Sequence, residues 1–280
     1  MTYENKKIIV VIPAGRKRYL ELLLPYLLKE KNIIDEIHLW CNTNNNEDIE
    51  YMETQVSIHP DLIKLRRIDG INSFKGENIH KFFKPYQKDN EVYIRLDDDI
   101  VYLEDGFIKS LVKFRVDNPQ YFLVYGNIVN NSIIDYYYQE AGLLNISKKI
   151  NYDCFDSVGC SIPEHAEEKH QHIISYIMEN KINLYRLPNK VLHNFERCSV
   201  NCISWLGEEF KLFNADVFWD EEQWLSSDKP KQINKPNIIF SEGKVCIHYA
   251  FFPQRPYLDN KPYILESYQN ILKRDINCNK

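Results

Sequence analysis

Tyr93-Ile94-Arg95-Leu96-Asp97-Asp98-Asp99 sets three adjacent carboxylates directly behind a short β-forming run, Val92 to Leu96. Three neighbouring Asp side chains repel one another, and at the edge of a buried sheet they need compensation. A divalent cation supplies it, because hard oxygen ligands suit Mg²⁺ or Mn²⁺, ions that also hold phosphates. Side-chain alternation puts Asp97 and Asp99 on one side if the strand runs on, so two carboxylates would converge on one ion or ligand. A solvated acidic turn is the plainer meaning of an isolated Asp triplet. What changes the weighing is where the run falls in the chain.

It falls at the end of a fourth strand. Lys6 to Ile12 is a continuous β-branched run, the mark of a strand buried on both faces, and Pro13-Ala14-Gly15 breaks it. Arg16 to Glu30 then carries Leu20, Leu23, Leu24, Leu27 and Leu28 at helical spacing, with Pro25 inside. Glu36 to Cys41 reads as a second strand, Glu47 to Ser57 as a helix, Leu62 to Ile68 as a third strand and Gly76 to Gln87 as another helical stretch. Strands at roughly 30-residue spacing, each followed by a helix, predict a parallel doubly wound sheet, which binds ligands outside the carboxyl ends of its strands. The odd polar groups fall there: Gly15-Arg16, Asn42 and the Asp triplet. Downstream, Asp105 is expected to N-cap a helix through Val116, Asn118-Pro119 to end it, and Tyr121 to Tyr125 to form a fifth strand. Residues 130 to 215 are mixed, and His165, His170 and His172 are expected to be solvated on a polar helix. No repeat or low-complexity linker divides the chain. The reading is one α/β domain, 1–280, with a nucleotide-type half at 1–129 and an acceptor-side half at 130–280.

Composition removes several alternatives. A net charge of −5 argues against a dedicated nucleic-acid binder, which would show surplus Lys and Arg. No apolar run approaches the ~20 residues of a membrane span. The N-terminus lacks the apolar stretch of a secretory signal, so the expected setting is cytoplasmic, free or peripheral at a membrane. Seven cysteines without an export signal read as free, buried thiols. A zinc set drawn from Cys154, Cys160, Cys198 and Cys202 with His165 or His193 fits no familiar spacing. There is no Gly-x-Gly-x-x-Gly after the first strand and no Walker A loop, which sets aside dinucleotide dehydrogenases and P-loop kinases. A phosphohydrolase of the aspartyl-phosphate type would carry its Asp-x-Asp after the first strand, not the fourth.

The chain resembles the GT-A class of nucleotide-sugar glycosyltransferases. The likeness rests on Ile8-Ile9-Val10-Val11-Ile12-Pro13 opening the fold, on the Asp-x-Asp within Asp97-Asp98-Asp99, and on Ile247-His248-Tyr249 near the C-terminus. It implies a Rossmann-like, mainly parallel central sheet flanked by helices. It also implies a Mn²⁺ or Mg²⁺ ion held by Asp99, His248 and Asp97, with Asp97 also reaching the ribose or sugar. The donor, a nucleotide-sugar with UDP favoured, would meet Pro13, Gly15, Arg16, Asn42, Asp97, Asp98 and Arg255. Arg255 would grip the diphosphate from a loop at Phe251 to Arg255. Considered alone, His248 after an apolar strand reads as a hydrogen-bonded structural residue, and Arg16, Arg18 and Arg255 as surface charges.

Transfer to an acceptor hydroxyl with inversion needs a base on the acceptor side. Phe218-Trp219-Asp220-Glu221-Glu222-Gln223-Trp224-Leu225 is similar to the acidic stretch from which inverting GT-A enzymes take that base. Glu222 stands where Asp is usual, and the register can slip to Glu221 or Asp220. Trp219 and Trp224 would desolvate the carboxylate and stack on a sugar; the bland reading is an acidic helix start with two packed tryptophans. Asp153, Asp156, His165, Glu196 and Arg197 are unranked candidates for the acceptor, a glycan or glycolipid in surface-polysaccharide assembly. Two other functions stay open: a sugar nucleotidyltransferase, whose usual Gly-rich loop Pro13-Ala14-Gly15-Arg16 matches poorly, and a non-enzymatic glycan-binding module, which 13% aromatics would suit.

Overall fold

The computed structural model describes residues 5–67, 76–218 and 220–277. Trp219, Cys278 and the end of the expected third strand at Ile68 lie outside them. The elements in chain order are β1 (Lys7–Ala14), α1 (Lys17–Lys29), β2 (Glu36–Cys41), α2 (Asn46–Ile58), β3 (Ile63–Arg66), β4 (Glu91–Leu96), β5 (Ile100–Leu103) and α3 (Phe107–Asp117). Then come β6 (Val124–Tyr125), β7 (Asn127–Val129), α4 (Ser132–Glu140), α5 (Pro163–Met178), β8 (Lys190–Leu192), β9 (Cys202–Leu206) and α6 (Gly207–Lys211). The chain closes with α7 (Glu221–Gln223), α8 (Lys229–Ile233), β10 (Asn237–Ile239), β11 (Val245–His248), α9 (Arg255–Asp259) and α10 (Pro262–Asn277). The expected helix at Gly76 to Gln87 is a 3-10 helix over Gly76–Phe83.

The main sheet has eight strands in the order β3-β2-β1-β4-β9-β6-β10-β8. β1 to β4, β6 and β10 all run in one direction, while β9 and β8 run against them. β1 is buried from Ile8 onward because both faces are covered, which explains its unbroken apolar run. On one face Phe82 stacks on Phe83, and Tyr86 packs against Tyr93 and Trp40.

Three departures from the sequence reading shape the site. The strand carrying the Asp triplet does not run on. Ile100 N donates to Asp97 O at 3.2 Å, so the chain turns at the triplet and enters β5, in a second sheet of order β5-β11-β7. The expected fifth strand over Tyr121 to Tyr125 is ordered as a strand only at Val124–Tyr125, and Gly126 passes the chain from the main sheet to the small one. A Cβ at Gly126 would stand 2.5 Å from Cys202 Sγ, so the crossing needs glycine.

The third departure is a cap. Gly106, at φ 76°, precedes α3 in place of Asp105, whose carboxylate instead meets Lys29 Nζ at 3.3 Å. Buried Glu30 supplies the cap from the end of α1: its two oxygens accept from Ile108 N at 3.0 Å and Lys109 N at 2.9 Å. A carboxylate on free amides at a helix N-terminus satisfies orphan donors and meets the positive end of the dipole. Glu30→Ala is therefore expected to lower unfolding free energy by about 1–2 kcal/mol, the upper part of the capping range, read by urea denaturation.

α5 packs against α9 and α10; contrary to the solvated helix expected, its His165 and His170 are buried, and His172 is half-buried with Nε2 donating to Leu143 O at 2.8 Å. His170 Nδ1 accepts from Tyr268 Oη at 2.8 Å and Nε2 donates to Tyr249 O at 2.7 Å. The six described cysteines are free thiols, all buried except half-buried Cys41. No helix among the described residues is long and apolar enough to cross a membrane.

Candidate active site

The turn after β4 sends the three carboxylates in different directions. Asp98 faces the end of β1, where its Oδ2 accepts from Gly15 N at 2.8 Å and its Oδ1 from Arg16 Nε at 2.9 Å. Gly15 is required there because a Cβ would lie 2.6 Å from Asn42 O, where β1 and β2 end side by side. Asp97 faces the other way. Its Oδ1 accepts from Arg95 Nε and Nη2 at 3.2 and 3.0 Å, and its Oδ2 from Asn201 Nδ2 at 3.3 Å. Asp99 stands beside His248, with Nε2 of the ring 3.3 Å from Oδ1. Asp99 Oδ2 lies 3.0 Å from Arg16 Nη1 and 3.2 Å from Arg255 Nη2. Asp97 and Asp99 are thus brought together by a turn, not by the pleat of a continuing strand.

His248 reaches this position from β11, the middle strand of the small sheet, where the register to β5 shifts between Ile247 and His248. Its Nδ1 lies 3.0 Å from Asn130 O and donates to that carbonyl, which leaves Nε2 facing Asp99. Burial pushes the Asp99 carboxyl up, but the charges of His248, Arg16 and Arg255 outweigh it and hold Asp99 well below the usual carboxylate range. Burial likewise lowers the His248 imidazole, and Asp99 more than reverses that. Asp98 ends up raised, because burial outweighs Arg16.

One ligand atom from each of Asp97, Asp99 and His248 lies within 4.8 Å of the others, the one such cluster among the described residues. Asp99 Oδ1 is buried, and its near neighbour is His248 Nε2 at 3.3 Å, so carboxylate and imidazole already face each other as a shared ion would require. Two carboxylates and an imidazole are donors suited to Mn²⁺ or Mg²⁺, and the Nδ1–carbonyl bond is the outer-shell contact that orients a ligating histidine.

Beside this cluster is a cavity of about 210 Å³ at the carboxyl ends of the strands. Pro13, Gly15, Arg16, Asn42, Asp97, Asp98 and Arg255, all named from the sequence, line it together with Ile79 and Arg95. Arg95 was legible only as a charge inside an apolar strand, and Ile79 left no signal. Arg18 lies outside this cavity, 2.9 Å from Asp259. The stretch at Phe251 to Arg255 is fastened: Gln254 is fully buried with Oε1 accepting from Phe251 N at 3.0 Å, and Arg255 opens α9.

The acidic stretch also separates its members. Asp220 caps α7 through Gln223 N and is held bidentately by Arg197 at 2.8 and 2.9 Å. Glu221 Oε1 accepts from buried Arg95 at 2.7 Å, and its Oε2 is buried without a hydrogen bond. Burial raises Glu221, and Arg95 offsets only part of this. Glu222 turns to the opposite side, with Oε1 accepting from Arg197 Nε at 3.0 Å and from Cys154 Sγ at 3.4 Å. Beyond Arg197, whose guanidinium lies 4.4 Å over the exposed Phe155 ring, Tyr136, Tyr137 and Tyr152 cluster at 5.1–5.6 Å. Tyr152 Oη donates to Glu196 at 3.2 Å. Trp224 packs on Phe213 and Phe218. Of the other acceptor candidates, Asp156 caps a turn through Gly159 N, Asp153 accepts from Phe155 N, and His165 is buried beside Glu168.

The chain has a GT-A-like fold, with a large, mainly parallel central sheet flanked by helices. The mannosyltransferase PcManGT from Pyrobaculum calidifontis, solved in complex with GDP-Man and Mn²⁺, aligns over 98% of this chain and 76% of its own with a TM-score of 0.51 at 11% identity. A mycobacterial protein aligns over 88% of this chain and 68% of its own, with a TM-score of 0.50 at 10% identity. TarS 1–349 from S. aureus gives a TM-score of 0.48 at 12% identity over 95% of this chain and 71% of its own, and the chain spans 39% of a longer TarS structure. At these identities the likeness is one of fold. No protein-family model matches the sequence, and no curated protein sequence matches it.

Proposed function

We propose that the chain is a metal-dependent glycosyltransferase that moves a sugar, with inversion, from a nucleotide-sugar to a glycan or glycolipid hydroxyl, in the cytoplasm and in surface-polysaccharide assembly. The observation that carries this reading is the Asp97–Asp99–His248 donor set standing beside a cavity lined by Arg16, Arg255 and Asn42. The mannosyltransferase neighbour holds GDP-Man and Mn²⁺, which supports the ligand class; the nucleotide we propose for this chain is UDP.

Asp97, Asp99 and His248 would hold a Mn²⁺ or Mg²⁺ ion that neutralises the charge of the departing diphosphate. Arg95 keeps Asp97 oriented from below. Arg16 and Arg255 now lie against Asp99, and with the diphosphate in place their guanidinium groups grip its oxygens, a geometry that suits Arg over Lys. Pro13 and Asn42, which line the same cavity, would face the nucleoside. On the acceptor side Glu222 takes the hydroxyl proton as the new glycosidic bond forms. The tyrosine cluster and Phe155 offer faces on which a sugar stacks. Glu221 is the second reading for the base, favoured by its buried, unpartnered Oε2 and its raised carboxyl.

The test is nucleotide release with and without Mn²⁺ over UDP-, GDP-, CMP- and dTDP-sugars. A glycosyltransferase releases the nucleoside diphosphate, a nucleotidyltransferase requires a nucleoside triphosphate and a sugar phosphate, and a binding module releases nothing. In a thermal scan, UDP with Mn²⁺ at a hundredfold excess over Kd is expected to raise Tm by roughly 5–10 °C. Asp99→Ala should abolish the Mn²⁺-dependent part of that shift; an unchanged shift removes Asp99 from the ion.

A further inference from the structure

Behind His248 lies a buried polar network that the reaction scheme does not use. Asn130 is fully buried, and its backbone is left-handed at φ 63°, an unusual conformation for a residue other than glycine. Each of its polar groups is engaged. The main-chain carbonyl accepts from His248 Nδ1 at 3.0 Å, and the main-chain N–H donates to Asp135 Oδ1 at 3.0 Å. Its Nδ2 donates to Gln254 Oε1 at 3.0 Å and to Tyr249 O at 3.1 Å, and its Oδ1 accepts from Lys169 Nζ at 3.0 Å. Lys169 and Asp135 are themselves fully buried, 2.8 Å apart.

The cost of this arrangement points to its use. A buried ion pair contributes little stability over apolar groups of the same volume, so its value lies in fixing one geometry. Here the geometry fixed is that of Asn130, and through it two parts of the site: the ring of His248 and, by way of Gln254, the segment that carries Arg255. We infer that Asn130, clamped by the Lys169–Asp135 pair, is a positioning residue that sets the His248 ring for the ion and ties that ligand to the Arg255 segment. The inference rests on the metal-dependent reading given above.

Asn130→Gly tests it, because glycine adopts the same left-handed backbone and keeps the carbonyl that His248 uses, while the side-chain clamp is lost. The measurement is Mn²⁺ affinity, from titration of free Mn²⁺ by electron paramagnetic resonance, on the full chain without donor. His248→Ala is run in parallel. A merely structural Asn130 predicts wild-type affinity in the folded glycine variant. The positioning role predicts a Kd 10–100-fold weaker, the usual range for loss of an outer-shell partner. Lys169→Met with Asp135→Leu, which replaces the pair by apolar groups of similar size, is the second variant should Asn130→Gly fail to fold, and the same loss is expected. A Kd within twofold of wild type in either folded variant, with His248→Ala at least tenfold weaker, overturns the inference alone. A wild-type protein that binds no Mn²⁺, or a His248→Ala variant that binds it normally, overturns the metal reading and the inference with it.

Discussion

Glu222→Gln is expected to leave donor binding intact and to lower turnover by about 10²–10⁴-fold, the range for loss of a general base. The substitution keeps the size of the side chain and an oxygen for Arg197 Nε, so the local packing survives. What disappears is the ability to take the acceptor's proton. The adjacent carboxylates make the experiment discriminating, since they point in opposite directions. Glu221 is tied to Arg95, which lines the cavity, whereas Glu222 and Arg197 adjoin Phe155. If Glu222→Gln turns over almost normally, the role passes to Glu221, and Glu221→Gln should then show the loss. Asp220 is already engaged as the cap of α7 and as the bidentate partner of Arg197, so Asp220→Asn is expected to act on stability more than on chemistry. Retained anomeric configuration in the product, read from the anomeric proton coupling, would exclude single displacement whichever carboxylate matters.

Acid should unfold this protein earlier than its carboxylates alone require. Burial holds both His38 and His170 down at about 4, against an ordinary value near 6.5; the Glu36 contact to His38 and the Tyr249 carbonyl bond to His170 oppose this only in part. Between those limits the unfolded chain binds two protons that the native state refuses, so stability falls as pH falls. From pH 6.5 to 5 each histidine contributes about 1.5 kcal/mol of loss, together about 3 kcal/mol. His248, with its raised value, acts in the opposite sense and above pH 6.5, so it does not mask the effect. The check is urea unfolding at pH 7, 6 and 5 for the wild type, His38→Gln and His170→Gln. Each variant should lose about half of the slope; an unchanged slope in both would show that neither ring titrates with folding.

The parts of the molecule written as local pattern were legible in the sequence. Ile8 to Ile12, Glu36 to Cys41 and Val92 to Leu96 announce buried parallel strands through their β-branched and aromatic runs, and the polar residues that follow them gather at one cavity. What escaped depends on partners far away in the chain. Asp105 carries good capping chemistry beside α3, yet Glu30 does the capping, because tertiary packing brings a buried carboxylate onto the open amides. His170 sits in a polar-looking stretch, but α10 covers it and Tyr268 supplies its partner. Arg95 interrupts an apolar strand; one partner, Asp97, is two residues away, but the other, Glu221, comes more than a hundred residues later. Tyr121 to Tyr125 has strand composition throughout, and Phe122 N donates to Pro236 O at 3.0 Å, but the regular ladder to β10 and β9 is formed only at Val124–Tyr125.

The small sheet makes this site a late product of synthesis. β5 leaves the Asp turn directly, but its neighbour β11, which brings His248, follows only about 140 residues later, and Arg255 comes after it. Until then Asp99 has no imidazole beside it, and the cavity wall lacks one of its three arginines. On the function proposed above, a nascent chain would carry one edge of the nucleotide-sugar site without the means to fasten a diphosphate. Partly made molecules in the cell would neither withdraw metal nor tie up sugar donor, and the appearance of donor affinity during translation would mark the moment at which β11 docks between β5 and β7.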